Sequence, residues 1–145
     1  MNKKYIIHTD GGSRGNPGPA AIGVIIEEEG GMMKKEYGEY IGKATNNDAE
    51  YRAVIFALKK LKQLAGKETA KKVSVEVHVD SELIERQTNG RYKILDKKIQ
   101  LLFMEIWNLR MDFGSVIFKH IPREDNHGAD KMVNAALDME TNKLL

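Results

Sequence analysis

Residues 73–79 read Val-Ser-Val-Glu-Val-His-Val, and no other stretch restricts the possible folds as much. Valines spaced two apart put every apolar side chain on one face of a strand, the conformation that β-branched residues favour. A helical stripe precedes it, with Ala53, Val54, Ala57, Leu58, Leu61 and Leu64 at spacings of three and four. A short helix follows from Asp80-Ser81 to the Asn89-Gly90 cap, then a longer one from Asp96 to about Arg110 carrying Ile99, Leu102, Phe103, Ile106 and Leu109. Upstream, Tyr5–Thr9, Ala21–Glu28 and Met32–Ile41 are β-rich runs. They are joined by the turn-forming Asp10–Pro19 stretch and by Gly30-Gly31, connections that suit antiparallel neighbours. Thr45-Asn46-Asn47-Asp48 is rich in N-cap residues and opens the helix that ends near Leu64. Val116–Ile121 reads as the last strand and Asn126 to about Glu140 as the last helix. The order β-β-β-α-β-α-α-β-α implies an α/β fold of mixed α+β character, a five-stranded mixed sheet with helices packed on both faces.

The 145 residues make a single domain, with a core of about 5–140 and a C-terminal tail of about 141–145. Hydrophobic residues at 41% and charged residues at 30% describe a folded chain that needs no staples. The absence of cysteine excludes a disulfide scaffold, a thiolate metal site, a thiol nucleophile and an iron–sulfur cluster. Met1-Asn2-Lys3-Lys4 followed by Tyr5-Ile6-Ile7 is basic then apolar, but the apolar run stops at His8-Thr9-Asp10, too short for a signal peptide. No stretch approaches the roughly 18 apolar residues of a membrane helix, so a cytoplasmic protein without a membrane partner is expected. Net charge is +2, unevenly spread: Lys43–Lys72 holds eight Lys/Arg against three Asp/Glu, and Val24–Gly42 two against five. Such a basic flank suits a phosphate-backbone partner and equally suits solvated helix faces.

Four acids stand out by position. Glu50 shares the helix face of Ala53, Val54, Ala57 and Leu61, and Asp130 lies above Val133 and Leu137 on the last helix. Asp10 ends the first strand before the glycine-rich turn, and Asp80 ends the valine strand. Partly buried carboxylates are costly unless paired, protonated or bound to a cation. Oxygen ligands suit a hard divalent ion, magnesium above all, whereas a chain without cysteine and with four histidines is poorly equipped for zinc or copper. Each acid alone also reads as a cap, a turn former or a partner for a helix dipole.

Together these residues resemble ribonuclease H type 1. Thr9-Asp10-Gly11-Gly12-Ser13-Arg14-Gly15-Asn16-Pro17-Gly18 is similar to that family's first-strand signature. Thr45-Asn46-Asn47-Asp48-Ala49-Glu50 resembles its second block and Val79-Asp80-Ser81 its third. His120-Ile121-Pro122-Arg123-Glu124-Asp125-Asn126-His127-Gly128-Ala129-Asp130 resembles its fourth. The resemblance implies a ribonuclease H-like fold and an endonuclease that hydrolyses the RNA strand of RNA–DNA hybrids, leaving 5′-phosphate and 3′-hydroxyl ends. Asp10, Glu50, Asp80 and Asp130 would be its metal-binding carboxylates, holding two Mg2+ ions with substrate, Mn2+ being a plausible substitute.

His120 corresponds to the family's assisting histidine, with His127 as the competing candidate; Glu124 could add a fifth carboxylate or be an exposed loop acid. Gly11, Gly12, Asn16, Thr45, Asn46 and Asn47 match substrate-binding positions, the asparagines on minor-groove sugars and base edges, although Thr45-Asn46-Asn47 equally caps a helix. His8 and His78 read as structural. Asn89-Gly90-Arg91-Tyr92-Lys93 joins the middle helices directly, as in the branch of the family that lacks a basic protrusion. Glu82 stands where a neutral polar contact is expected. The partner implied is the hybrid, bound by a monomer with no obligate protein partner. A non-catalytic hybrid- or RNA-binding protein and another metal nuclease on the same fold are the alternatives.

Overall fold

A computed structural model describes residues 3–143; Met1, Asn2 and the last two residues of the expected tail lie outside the described residues. Strands β1 (Lys4–Ser13), β2 (Gly18–Glu28) and β3 (Lys34–Ala44) precede helix α1 (Asn46–Ala65) and the single turn α2 (Lys67–Ala70). Then come β4 (Ser74–Val79), α3 (Glu82–Thr88), α4 (Lys97–Arg110), β5 (Ser115–His120), a 3-10 turn (Arg123–Asp125) and α5 (His127–Lys143). The five strands form one mixed sheet in the order β3-β2-β1-β4-β5, antiparallel among the first three and parallel from β1 through β4 to β5.

Several boundaries differ from the sequence reading; β2 begins at Gly18 and not at Ala21. Asp10 does not end β1: Gly11, Gly12 and Ser13 continue the ladder opposite Ile22, Ala21 and Ala20, so the turn begins at Arg14. The third strand occupies Lys34–Ala44 instead of 32–41. Residues 141–143 belong to α5 and not to a tail. Leu64 is 41% exposed and lies outside the core that Ala53, Val54, Ala57, Leu58 and Leu61 build.

Adjacent residues of β1 look at opposite faces, and their neighbours show that both faces are covered. A Cβ on Gly11 would lie 2.3 Å from the Ala49 carbonyl of α1, whereas one on Gly12 would meet Val133 of α5. The α1 side holds the main core, where Ile7, Val24, Ile26, Val75, Val77 and Val79 pack against Tyr51, Val54, Leu58 and Leu61. On the other side α5 rests on β2, and Ala21, Val133 and Leu137 form a small second cluster. Helix α1 is capped by the Thr45 hydroxyl, which accepts from the Asp48 amide, and α4 by Asp96, which accepts from the Ile99 amide. Among the described residues no helix is long and apolar enough to cross a membrane.

Candidate active site

Backbone approach at two glycines brings the acids together. The α1 backbone descends onto Gly11, which places Glu50 beside Asp10. On the opposite face a Cβ on Gly23, the residue paired with Asp10, would lie 2.0 Å from the Ala129 carbonyl. The first turn of α5, with Asp130, is thereby seated over the same strand. The parallel pairing of Thr9 with Val79 sets Asp10 and Asp80 side by side at the next step. Carboxylate oxygens of Asp10, Glu50 and Asp80 all lie within 4.8 Å of one another. Asp130 is not among these three but lines the same cleft as Asp10 and Glu50 and raises the Asp10 carboxyl, so the structure clusters three of the predicted acids tightly and sets the fourth beside them.

Their electrostatics follow from burial and mutual repulsion. Asp10 is 6% exposed; its burial, then Asp80 and Asp130, push its carboxyl up to about 7. Glu50 is likewise raised well above the ordinary range by burial, then by Asp10 and Asp80, with the Arg123 guanidinium acting in the opposite sense. Glu50 Oε2 is buried without a hydrogen-bond partner. Asn126, 1% exposed, donates its Nδ2 at 2.9 Å to the Thr9 carbonyl and at 2.9 Å to Asp80 Oδ2. One amide thus holds the Asp80 carboxylate and ties the start of α5 to β1.

Sequence reasoning did not single out Asn126 or Arg123. Asn126 reads as an ordinary helix-start residue, and its signal was its fixed place in the block that ends at Asp130. Of the predicted substrate residues, Gly11, Gly12 and Asn46 line the cleft over the acids together with Ser13, Arg14 and Arg123. Asn16, Thr45 and Asn47 line an adjoining cavity instead, shared with Asp48, Asp96 and Lys98. The two are coupled: Asn46 Oδ1 accepts from the Ser13 amide at 2.9 Å, and the Asn46 amide donates to Asn16 Oδ1 at 3.0 Å. Gly11 is required by the close approach of α1, a different reason from free access of substrate to the strand.

Neither histidine candidate lines the cleft. His120 is exposed at the end of β5, paired with Val79, and His127 is exposed at the start of α5. Glu124 is an exposed residue of the 3-10 turn. Glu82 is engaged by Arg86, which also lies over the Tyr92 ring, so its charge is balanced within α3 and the following loop. His78 Nε2 is bound to Glu76 and its ring meets His8 edge to face, consistent with structural roles.

Residues 8–136 match the reverse transcriptase-like family. The fold aligns with LC11-RNase H1, solved in complex with an RNA/DNA hybrid, at a TM-score of 0.88 and 46% identity, covering 94% of this chain and 99% of that one. The chain belongs to the type 1 ribonuclease H family. Within it, ribonuclease HI of Halobacterium salinarum is 38% identical over 130 residues, 89% of this chain and 62% of the relative. A bifunctional protein of Mycobacterium tuberculosis is 36% identical over 136 residues, and the chain spans only 36% of its length. The N-terminal RNase H domain of that mycobacterial protein aligns at a TM-score of 0.83 and 34% identity, covering 92% and 98% of the two chains.

Proposed function

We propose that the chain hydrolyses the RNA strand of RNA–DNA hybrids, with Asp10, Glu50, Asp80 and Asp130 holding two magnesium ions. One observation carries this reading: three carboxylates, on β1, on α1 and directly after β4, converge within 4.8 Å in a partly buried site, with no ammonium or guanidinium among their hydrogen-bond partners within the described residues. The donor set fits hard divalent cations, because it consists of carboxylate oxygens and includes the buried, unpartnered Glu50 Oε2. Bound there, the ions supply an activated water and a counter-charge for the leaving 3′ oxygen, which accounts for 5′-phosphate and 3′-hydroxyl products.

The chain's own residues do the rest. Asp10 lies beside Asp80, which directly follows β4, and beside the helix-borne Glu50 and Asp130, so one carboxylate links the whole set. Asn126 keeps Asp80 aimed, and Arg123 limits the charge that accumulates around Glu50. Asn46 has its oxygen committed to the Ser13 amide, which leaves its NH2 group to donate to a 2′-hydroxyl or base edge. His120 ends β5 beside Val79, the residue before Asp80, and this proximity supports it over His127 as the group that assists proton transfer. The hybrid bound by LC11-RNase H1 supports the substrate class. Magnesium as the working ion, manganese as its substitute, a monomeric state and a cytoplasmic setting belong to the same proposal.

The test is incubation with a labelled RNA–DNA hybrid, with magnesium and with EDTA, alongside all-DNA and all-RNA duplexes. The expected result is metal-dependent cleavage of the RNA strand, abolished in Glu50→Gln. Binding without cleavage, or preferential cutting of the all-DNA duplex, would overturn the assignment.

A further inference from the structure

Two guanidinium groups line the cleft over the acids, and Arg123 acts on Glu50, opposing in part the effect of its burial. Arg14 sits directly after β1, where its amide donates to the Pro19 carbonyl at 2.8 Å and closes the turn. Its side chain runs along α5, and Nη2 meets Asp138 Oδ1 at 2.6 Å. Both partners are largely in water, 43% and 64% exposed. A pair that open contributes little to stability. Helix α5 is already seated by Gly23 against Ala129 and by Ala21 against Val133 and Leu137, so the sheet has no need of this pair as a staple.

The geometry instead suits a poised ligand. Guanidinium carries five N–H donors in a rigid fork, and among the described residues Asp138 is its one side-chain partner. The remaining donors belong to a residue that lines the same cleft as Asp10, Glu50 and Asp130. A planar fork matches the non-bridging oxygens of a phosphodiester. Ser13 beside it, through its amide, orients Asn46, so one short segment would serve both backbone and groove contacts.

We infer that Arg14 is a substrate-positioning residue, its guanidinium held by Asp138 so that it grips a backbone phosphate flanking the scissile one. This rests on the hybrid-hydrolase reading above.

The test compares the parent with Arg14→Gln, Arg14→Lys and Asp138→Asn. Hybrid binding is measured in calcium across a salt series, and KM and kcat in magnesium. One phosphate contact contributes about 0.7–0.9 to the salt slope, so Arg14→Gln should lose about that much. Its KM should rise roughly tenfold while kcat stays within about twofold, the signature of binding lost equally from ground and transition states. Arg14→Lys should restore the slope but only part of the KM, because an ammonium keeps the charge and lacks the fork. Asp138→Asn should keep the slope and raise KM about two- to threefold, since the contact survives with its orientation loosened. Thermal melts of all three variants should match the parent. An unchanged slope in Arg14→Gln, or a loss confined to kcat, would overturn the inference. A parent that neither binds nor cuts hybrid would instead overturn the hydrolase reading.

Discussion

Replacing Asp10 by Asn should make the metal-free protein more stable, and the size of the gain follows from the site. The Asp10 carboxyl is pushed from 3.8 to about 7 by burial and by Asp80 and Asp130. At about 1.36 kcal/mol per unit the ionised group costs the folded state at most ~4 kcal/mol. Neighbouring acids share the shift and the amide must still be buried, so about 2 kcal/mol is expected, a rise in Tm of roughly 4–8 °C for a chain of this length. The sign can be checked by linkage. Between about pH 4 and 7 the folded parent holds a proton that the unfolded chain has released, so parent stability falls as pH rises through that window. The gap between variant and parent should therefore be near zero at about pH 4, widen through the window and level off above about pH 7. Calorimetric or circular-dichroism melts in EDTA across this range provide the measurement. Saturating magnesium should narrow or invert the difference, because only the parent keeps the full ligand set. If Asp10→Asn melts at or below the parent in EDTA at about pH 8, the repulsive cluster inferred here does not exist.

Other substitutions probe separate parts of the structure. Gly11→Ala drives a methyl to 2.3 Å from the Ala49 carbonyl carbon, and should cost about 3 kcal/mol and depress activity by displacing Glu50; an unshifted denaturant midpoint would contradict the packing. Glu76, 5% exposed, binds His78, Lys119 and Lys4, and its carboxyl is held down to about 2, first by Lys119 and then by His78. Its stabilisation is present above the ordinary carboxylate range and is lost as pH falls toward about 2, so Glu76→Gln should destabilise by about 1–2 kcal/mol near neutrality, discounted for the exposed lysines, and by less below about pH 4. His120→Ala should slow hybrid cleavage by up to about a hundredfold without abolishing it, while His127→Ala stays near the parent; the reverse order in single-turnover rates would exchange their roles.

Periodicity alone was enough to order the elements. The alternating valines, the stripe on α1 and the short connections among β1, β2 and β3 report local backbone geometry, which repeats every two or 3.6 residues. Glu50 and Asp130 were legible as acids on apolar helix stripes and Asp10 and Asp80 as acids at strand ends, and the resemblance grouped the four. The end of β1 was not, because Gly11 and Gly12 read locally as a turn and are kept in the ladder by partners on β2. The purpose of Gly11 was hidden as well: it depends on a helix backbone some forty residues onward, and a contact of that kind leaves no trace in the spacing of its neighbours. Asn126 holding Asp80 and Arg14 meeting Asp138 are contacts between side chains remote in sequence, and the influence of Arg123 on Glu50 likewise acts across the fold. Sequence by itself settled which residues carry charge into the sheet edge. Only tertiary structure decided which amide aims each carboxylate, which cation limits its repulsion and which is left for a phosphate, since those choices depend on distances that exist once both helices have come down onto β1.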